Sequence, residues 1–334
     1  MVAERILIVA GKEFSDHLTS RKFLVILALL LMLALLGMHQ GIDQYNRNLE
    51  AYNQQLQAAG DATGSAGMMP ERPSILSIFL HLENSLIIFG GVLAIATGAD
   101  LVSKEKESRS LKTLLSHPVY RDEVINGKAL GGMAALGVAL AVAFTLTSAV
   151  LLVFSIVPTA GEVVAILIFG LASFLFLLAF FALALALSVV VKENGHAVVY
   201  GLTLFFAFTY LLQMFGMVLG GVVAGDIPQG PERPVTVDGR PVDEAVWKAY
   251  EEEFGHYIEE MEIYRNKQQF VTDTVNIFSP MMAYNTVAST VAYPSELPPE
   301  DAASRIWRNF AALLVFPSVF FAAAYVRFMR MDIR

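Results

Sequence analysis

The chain has 334 residues, of which 55% are hydrophobic and 16% are charged, and its mean hydropathy is +0.56. This is more apolar side chain than one soluble core of this length uses, so the composition excludes an ordinary soluble domain and predicts an all-α polytopic membrane protein. The net charge of −8 says nothing about nucleic acid, which is not among the expected partners, and the absence of cysteine excludes disulfides and thiolate metal sites.

Residues 1–20 are too polar to cross a bilayer and are predicted to form a cytoplasmic interfacial helix. Apolar side chains recur at helical spacing with charged ones opposite, namely Leu7, Ala10, Phe14 and Leu18 against Lys12, Glu13 and Asp16. Such an amphipathic helix lies along the inner membrane surface. The alternative is a helix packed against the inner ends of the bundle.

Residues 21–334 contain six stretches that are long enough and apolar enough to cross a membrane. They are Phe23–Met38, Leu82–Ala99, Ala129–Val157, Val163–Val191, Ala197–Ala224 and Asn309–Val326. Their interiors are predicted to hold no ionisable side chain, whereas ion-coupled transporters generally need one within the membrane. We therefore expect the driving energy to come from outside this chain.

The basic residues predict the orientation of the six spans. Placing both termini, the loop 101–128 and the turn at Lys192 on one side collects 14 of the 23 Lys and Arg residues there. These 14 are Arg5, Lys12, Arg21, Lys22, Lys104, Lys106, Arg109, Lys112, Arg121, Lys128, Lys192, Arg327, Arg330 and Arg334. By the positive-inside rule that side is cytoplasmic, which predicts a multi-pass protein of the cell membrane with both termini inside.

Two large segments then lie outside, residues 40–74 and 225–308, and each is predicted to contain a helix. In the first, apolar residues up to Leu56 continue the period of the first span, so this span is predicted to extend outward as one long helix. In the second, aromatic and apolar residues from Trp247 to Tyr264 recur with alternating steps of three and four. We call each of these rows of apolar residues a seam. The two seams either pack against each other or pack separately within the external segments.

The sequence contains no catalytic or metal-binding motif that we recognise. No phosphate-binding Gly-x-x-x-x-Gly-Lys-Ser/Thr occurs, because Gly127-Lys128 lacks the upstream glycine, and no His-Glu-x-x-His occurs. His81 and Glu83 are two residues apart on a helix and point in different directions, so they are a poor metal pair. We predict that the chain is not an enzyme and binds no cofactor of its own.

The charged loop 101–128 is the candidate partner-binding segment. Ser103–Ser116 is predicted to form a short amphipathic helix that ends at Pro118, and Asp122 is predicted to cap the next helix. The apolar side of the short helix carries Leu111, Leu114 and Leu115. A helix that is apolar enough to enter a groove and charged around it is typical of helix-in-groove recognition.

Several runs in this loop resemble the first cytoplasmic loop of ABC-2 type permeases. They are Gly98-Ala99-Asp100-Leu101-Val102-Ser103-Lys104-Glu105-Lys106-Glu107, Leu111-Lys112-Thr113-Leu114-Leu115-Ser116-His117-Pro118, Arg121-Asp122-Glu123-Val124 and Gly127-Lys128. The layout is similar too: an N-terminal helix with Lys12-Glu13-Phe14, six spans and an external insertion before the last span. The chain departs from the family at Arg109-Ser110, where Gly-Thr is usual.

The resemblance implies the permease subunit of an ATP-driven ABC transporter, most simply an exporter. Its implied partners are a separate ATP-binding subunit that holds ATP and Mg²⁺, a second permease copy or paralogue, and the lipid bilayer. The residues expected to contact the ATP-binding subunit are Glu105, Glu107, Leu111, Leu114, Leu115, Pro118, Arg121 and Glu123. The alternative function is an ATP-independent channel or scaffold with a partner-binding external helical domain. A membrane-embedded enzyme would need polar catalytic residues at bilayer depth.

Overall fold

The computed structural model describes residues 2–61, 72–108, 110, 120–234, 243–293 and 299–331, which are nearly all helical and include no β-strand. Six helical stretches in these ranges are long and apolar enough to cross a membrane. They are Arg21–Gln57, Leu76–Glu107, Arg121–Val153, Ala160–Val190, Gly195–Ala224 and Glu300–Met329. The predicted all-α polytopic membrane protein with six spans is therefore confirmed.

The helices follow one another with short connections. In chain order they are α1 (Val2–Thr19), α2 (Arg21–Asp61), α3 (Leu76–Ser85), a π-helical turn (Leu86–Gly90), α4 (Gly91–Glu107), α5 (Arg121–Val153), α6 (Ala160–Val190), α7 (Asn194–Phe206), a second π-helical turn (Ala207–Leu211), α8 (Leu212–Ala224), α9 (Glu244–Asn276), α10 (Pro280–Ala292) and α11 (Pro299–Met329). The chain divides into two compact units, Met1–Phe205 with Ala283–Arg334, and Phe206–Met282.

In the first unit, α6 is the central helix because α3, α4, α5 and α11 all pack on it. Its aromatic side chains Phe169, Phe176 and Phe180 are fully buried. The closest backbone approach is made by Gly98 of α4, where an added Cβ would lie 2.4 Å from the carbonyl oxygen of Phe181. Small residues allow helices to approach in this way, which replaces the hydrophobic driving force that lipid does not supply.

The first span continues beyond the membrane as predicted, because α2 is a single helix of 41 residues. Its seam begins buried, with Ile42 and Tyr45 almost fully covered. Gly41 faces α3, where an added Cβ would lie 2.8 Å from the His81 ring and 3.1 Å from Ile78. The first turns of the extension are therefore held against α3 within the same unit.

The second unit consists mainly of α8 packed on the end of α9. Gly216 and Gly220 bring the two helices together, and Thr272 Oγ1 donates a hydrogen bond to the Gly216 carbonyl at 3.2 Å. The helix predicted within residues 225–308 is present as α9, along which aromatic rings from Trp247 to Tyr257 contact one another. Whether this seam pairs with the seam of α2 stays a prediction.

The predicted end of the third span is wrong by four residues. The helix α5 ends at Val153 instead of Val157, because the chain turns at Ser155, whose φ of 59° lies in the left-handed region. Residues 156–159 connect this turn to α6, and Thr159 is the N-cap of that helix.

The helices of the spans contain ionisable residues that the predicted interiors lack. The helix of the second span starts at Leu76 instead of Leu82, so Glu83, which falls at the edge of the predicted span, lies further inside the helix and is buried. The third span starts at Arg121, and Lys128, expected just before the membrane segment, is 1% exposed. Apolar window length alone underestimates spans that tolerate charge by pairing it with other helices.

Candidate functional site

The N-terminal helix is seated on the start of α5 at two glycines. An added Cβ on Gly127 would lie 2.6 Å from Val9 Cβ, and one on Gly131 would lie 2.6 Å from the carbonyl oxygen of Ala10. The spacing of four residues places both glycines on one side of α5. Backbone-to-backbone contact of this kind leaves no room for a side chain, so α1 has one defined position on α5.

A buried lysine joins α1, α4 and α5 just beside that contact. Lys128 of α5 donates a hydrogen bond from Nζ to Oε1 of Glu13 at 2.8 Å and another to Oε1 of Glu105 at 2.7 Å. The Lys128 side chain is 1% exposed and the two carboxylates are largely covered. We call these three residues the α1–α4–α5 triad. Removing Lys128 would leave two largely covered carboxylates without the cation that they share.

The triad corrects the predicted charged face of α1. Glu13 was expected on the polar side with Lys12 and Asp16, but it is buried against Lys128, while Leu7 of the predicted apolar side is 66% exposed. The face of α1 that meets α5 runs through Val9, Ala10 and Glu13. The helix therefore packs on the bundle, which is the alternative interpretation of its sequence. Contact of its outer face with lipid stays a prediction.

The start of α5 is closed by Glu123 instead of the predicted Asp122. Glu123 Oε2 accepts a hydrogen bond from the Tyr120 backbone N–H at 3.0 Å, and its Oε1 lies 3.7 Å from Arg5 of α1. The helix starts at Arg121, so Asp122 lies within the first turn and cannot act as its N-cap. A carboxylate at this position also interacts favourably with the helix dipole.

The end of α4 is hydrogen-bonded to the end of α6. Ser188 Oγ accepts hydrogen bonds from the backbone N–H groups of Val102 and Ser103 at 3.0 and 2.8 Å. Lys106 Nζ donates to the carbonyl oxygens of Ser188, Val189 and Val191, with distances of 3.3 Å to Ser188 and 3.1 Å to Val191. A cation is favourable at these last carbonyls of a helix. The end of α4 is therefore held against the end of α6.

Two further contacts hold neighbouring helices at this end of the bundle. Lys22 of α2 pairs with Asp100 of α4 at 2.9 Å. Arg121 Nη1 donates to the carbonyl oxygens of Met331 at 2.8 Å and Met329 at 3.3 Å, at the end of α11. These two contacts, the triad and the hydrogen bonds of Lys106 and Ser188 connect six helices at one end of the unit. The helices are α1, α2, α4, α5, α6 and α11, and we call this end the α1 end.

Electrostatics at the exposed side of α1 reflect the carboxylates around it. Burial acts to lower the pKa of Lys12, but Glu13 and Asp16 outweigh that effect and hold the pKa above its usual value. Burial lowers the pKa of His17, against the opposing influence of Glu13 and Asp100. The Lys12 ammonium therefore stays charged at neutral pH, while the His17 imidazole is neutral there.

The predicted partner-contact residues divide into two groups. Glu105, Arg121 and Glu123 make the contacts within the chain that are described above, and Glu107 is exposed at the end of α4. Leu111, Leu114, Leu115 and Pro118 lie outside the described residues, as does half of the predicted helix Ser103–Ser116. Sequence reasoning missed Lys128 and Glu13. Their signal was Gly127-x-x-x-Gly131, which indicates a helix contact on that side of α5.

The described residues give no metal site, since no three of their His, Asp or Glu side chains are grouped to hold an ion. The described residues include six helices that are long and apolar enough to cross a membrane, and an N-terminal helix that packs on the third of them. The family described as ABC-2 family transporter protein matches residues 7–333. The chain therefore belongs to the ABC-2 family of transporter proteins. A search of the curated proteins finds no match.

Proposed function

We propose that the chain is the membrane-spanning subunit of an ATP-driven exporter, energised by a separate ATP-binding subunit at the α1 end. The observation that carries this proposal is the α1–α4–α5 triad, because it ties the segment leading into the coupling loop to the N-terminal helix and to a membrane span. A force applied to residues 109–119 would reach α4, α5 and α1 together.

The basic residues support placing the α1 end in the cytoplasm. Five basic residues make their contacts at this end, namely Arg5, Lys12, Lys22, Lys106 and Arg121. ATP and Mg²⁺ would then be held by the partner on the same side. In this arrangement Leu111, Leu114, Leu115 and Pro118 enter a groove of the partner, Glu107 lies at its edge, and Glu105, Arg121 and Glu123 hold the loop in position.

A cavity within the first unit supports transport toward the opposite end. It has a volume of about 1350 Å³ and lies between the outer part of α2, the turn after α5, and the facing ends of α10 and α11. Aromatic side chains line it, among them Tyr45, Tyr52, Phe154 and Tyr293. A cavity of this size and lining is large enough to hold a drug-sized molecule before release to the outside.

The coupling segment can be tested with Leu114→Asp combined with Leu115→Asp. The chain would be purified from its native membrane, and a co-purifying ATP-binding subunit would be identified by its phosphate-loop motif. Two carboxylates would prevent the apolar side of the segment from entering a groove. We expect loss of the co-purifying subunit and of its ATP hydrolysis, with normal membrane insertion.

The matched control is Val246→Asp combined with Ile263→Asp, two exposed positions of α9, which lies outside the six spans. This double variant should retain both the co-purifying subunit and its ATP hydrolysis. Normal hydrolysis in the Leu114 and Leu115 variant would show that the segment is not the coupling contact. If the unmodified chain brings down no ATP-binding subunit, the channel or scaffold function is favoured instead.

A further inference from the structure

A carboxyl group lies buried inside the second span, away from the α1 end. Glu83 of α3 is 4% exposed. The Asn285 side chain of α10 donates a hydrogen bond from Nδ2 to Glu83 Oε1 at 3.1 Å. Among the ion pairs of the described residues, none includes Glu83. A buried carboxyl with an amide partner and no counterion calls for an explanation.

The residue next to Asn285 links α10 to a different helix. The hydroxyl of Tyr284 lies 2.8 Å from Ser173 Oγ of α6, and both side chains are fully buried. The Tyr284 ring stacks on Phe176 and Phe169, with centroid distances of 4.9 and 5.9 Å. Two adjacent residues of α10 therefore bind α3 and α6 through polar contacts in an otherwise aromatic setting.

Among the described residues, no basic side chain of the neighbouring helices forms an ion pair with Glu83. The titratable groups that the nearby stretch of α2 carries are His39 and Asp43, which pair with each other at 3.1 Å, and Tyr45. The helix α6 contributes Glu162, which accepts hydrogen bonds from Thr159 at its start, and α10 contributes Tyr284. On α3 itself, His81 faces Gly37 and Gly41 of α2.

The missing counterion decides which form of Glu83 fits the site. Transferring an ionised carboxylate out of water without a paired charge is far less favourable than transferring the neutral acid. The neutral acid keeps a carbonyl oxygen that can accept the Asn285 N–H. The π-helical turn Leu86–Gly90 follows α3 directly, and such turns inside helices occur frequently at functional sites.

We propose that Glu83 is a proton-binding site within the membrane and that its proton holds α10 against α3. Release of that proton to water leaves a carboxylate between α3 and α10. The negative charge then has no partner other than the Asn285 amide, so α10 separates or water enters to solvate it. The step is a proton transfer alone and needs no other reactant. This site does not depend on the ATP-binding subunit, so it can be tested on the isolated chain.

Infrared spectroscopy tests the proton directly. The purified chain would be placed in lipid nanodiscs at neutral pH, and its spectrum would be compared with that of Glu83→Gln. We expect the carbonyl-stretch band of a protonated carboxylic acid in the unmodified chain and its loss in Glu83→Gln. The matched control is Glu162→Gln, which removes an exposed carboxylate at the start of α6 and should keep the band. A band that survives in Glu83→Gln, or is absent from the unmodified chain, would overturn the proposal.

A second variant tests the link to α10. Asn285→Leu removes the amide donor, so the carbonyl band of Glu83 should move to higher frequency, because a carbonyl without a hydrogen bond absorbs there. An unshifted band in Asn285→Leu would show that the proton does not hold α10 through this contact. The variant changes a different residue, so it also serves if Glu83→Gln fails to fold.

Thermal unfolding across pH gives an independent readout of the same proton. A group that binds its proton more tightly in the folded state contributes stability at low pH that is lost as pH rises. The melting temperature of the unmodified chain should therefore fall as the pH rises above the ordinary glutamic acid pKa of about 4.3, and that of Glu83→Gln should fall less over the same range. Parallel falls in both proteins would contradict the assignment.

Discussion

Replacing Lys128 with methionine removes the one positive charge of the α1–α4–α5 triad while keeping the length of the side chain. The change leaves the carboxylates of Glu13 and Glu105 covered and 2.8 and 2.7 Å from a position that no longer carries charge. Breaking a buried ion pair by removing one partner destabilises a protein by about 3 to 5 kcal/mol. Because the Glu105 side chain keeps 18% of its exposure, we expect about 3 kcal/mol, the lower end of that range.

The control for this variant is Lys12→Met on α1. Lys12 pairs with Asp16 at 3.2 Å and with Glu13 at 3.4 Å, but its side chain is 60% exposed. Exposed pairs contribute about 0 to 1 kcal/mol, so Lys12→Met should melt close to the unmodified chain. The measurement is the melting temperature of each purified variant in the same detergent, followed by loss of helical circular dichroism. If Lys128→Met melts no lower than Lys12→Met, the triad does not hold the three helices together.

A rescue variant separates lost charge pairing from lost packing. Adding Glu13→Gln and Glu105→Gln to Lys128→Met removes the unpaired carboxylates and leaves groups of the same shape. Replacing a whole buried ionic cluster by neutral groups is often close to neutral in stability. The triple variant should therefore recover most of the melting temperature. If it remains as unstable as Lys128→Met, packing of the lysine stem would be the cause.

The remaining predictions concern glycines that hold helices in contact. Gly131→Ala should destabilise the chain by about 1 to 3 kcal/mol, because its Cβ would lie 2.6 Å from the Ala10 carbonyl oxygen. In the control Gly137→Ala on the same helix, the added Cβ would lie no closer than 3.6 Å to another atom, so the change should be tolerated. Equal melting temperatures for the two variants would contradict the close contact between α1 and α5. Gly220→Ala should loosen α8 from α9, since its Cβ would lie 2.7 Å from the Gln268 carbonyl oxygen, whereas Gly221→Ala meets no atom within 4 Å. Limited proteolysis of α9 should be faster only in the Gly220 variant, and equal rates would contradict the contact.

The spans were predictable because a bilayer demands long apolar helices and offers few alternatives. The extension of α2 and the helix α9 also followed from the spacing of their apolar residues. These properties depend on single segments. The sequence of each segment alone is therefore enough to predict its helix.

The triad was not predictable because it depends on which helices meet. Glu13, Glu105 and Lys128 are far apart in the sequence, and each alone resembles a solvated charge. Glu83 was misjudged for the same reason, since the position of Asn285 on another helix decides whether a carboxyl can lie within the membrane. Pairing across helices changes the free energy of a buried polar group, and local spacing does not report it.

The π-helical turn Leu86–Gly90 has a consequence for how the second span faces its neighbours. The half before the turn, α3, packs on α2, whereas the half after it, α4, packs mainly on α6. A π-turn contains one residue more than an α-turn, which rotates every later side chain by about 100° around the helix axis. The two halves of one rod-like helix thus have different helical phases. If the extra residue were absorbed into regular α-helix, Glu105 would rotate away from Lys128 while Glu83 stayed in place. The orientation of this helix at the α1 end therefore depends on a single residue of helical register in the middle of the second span.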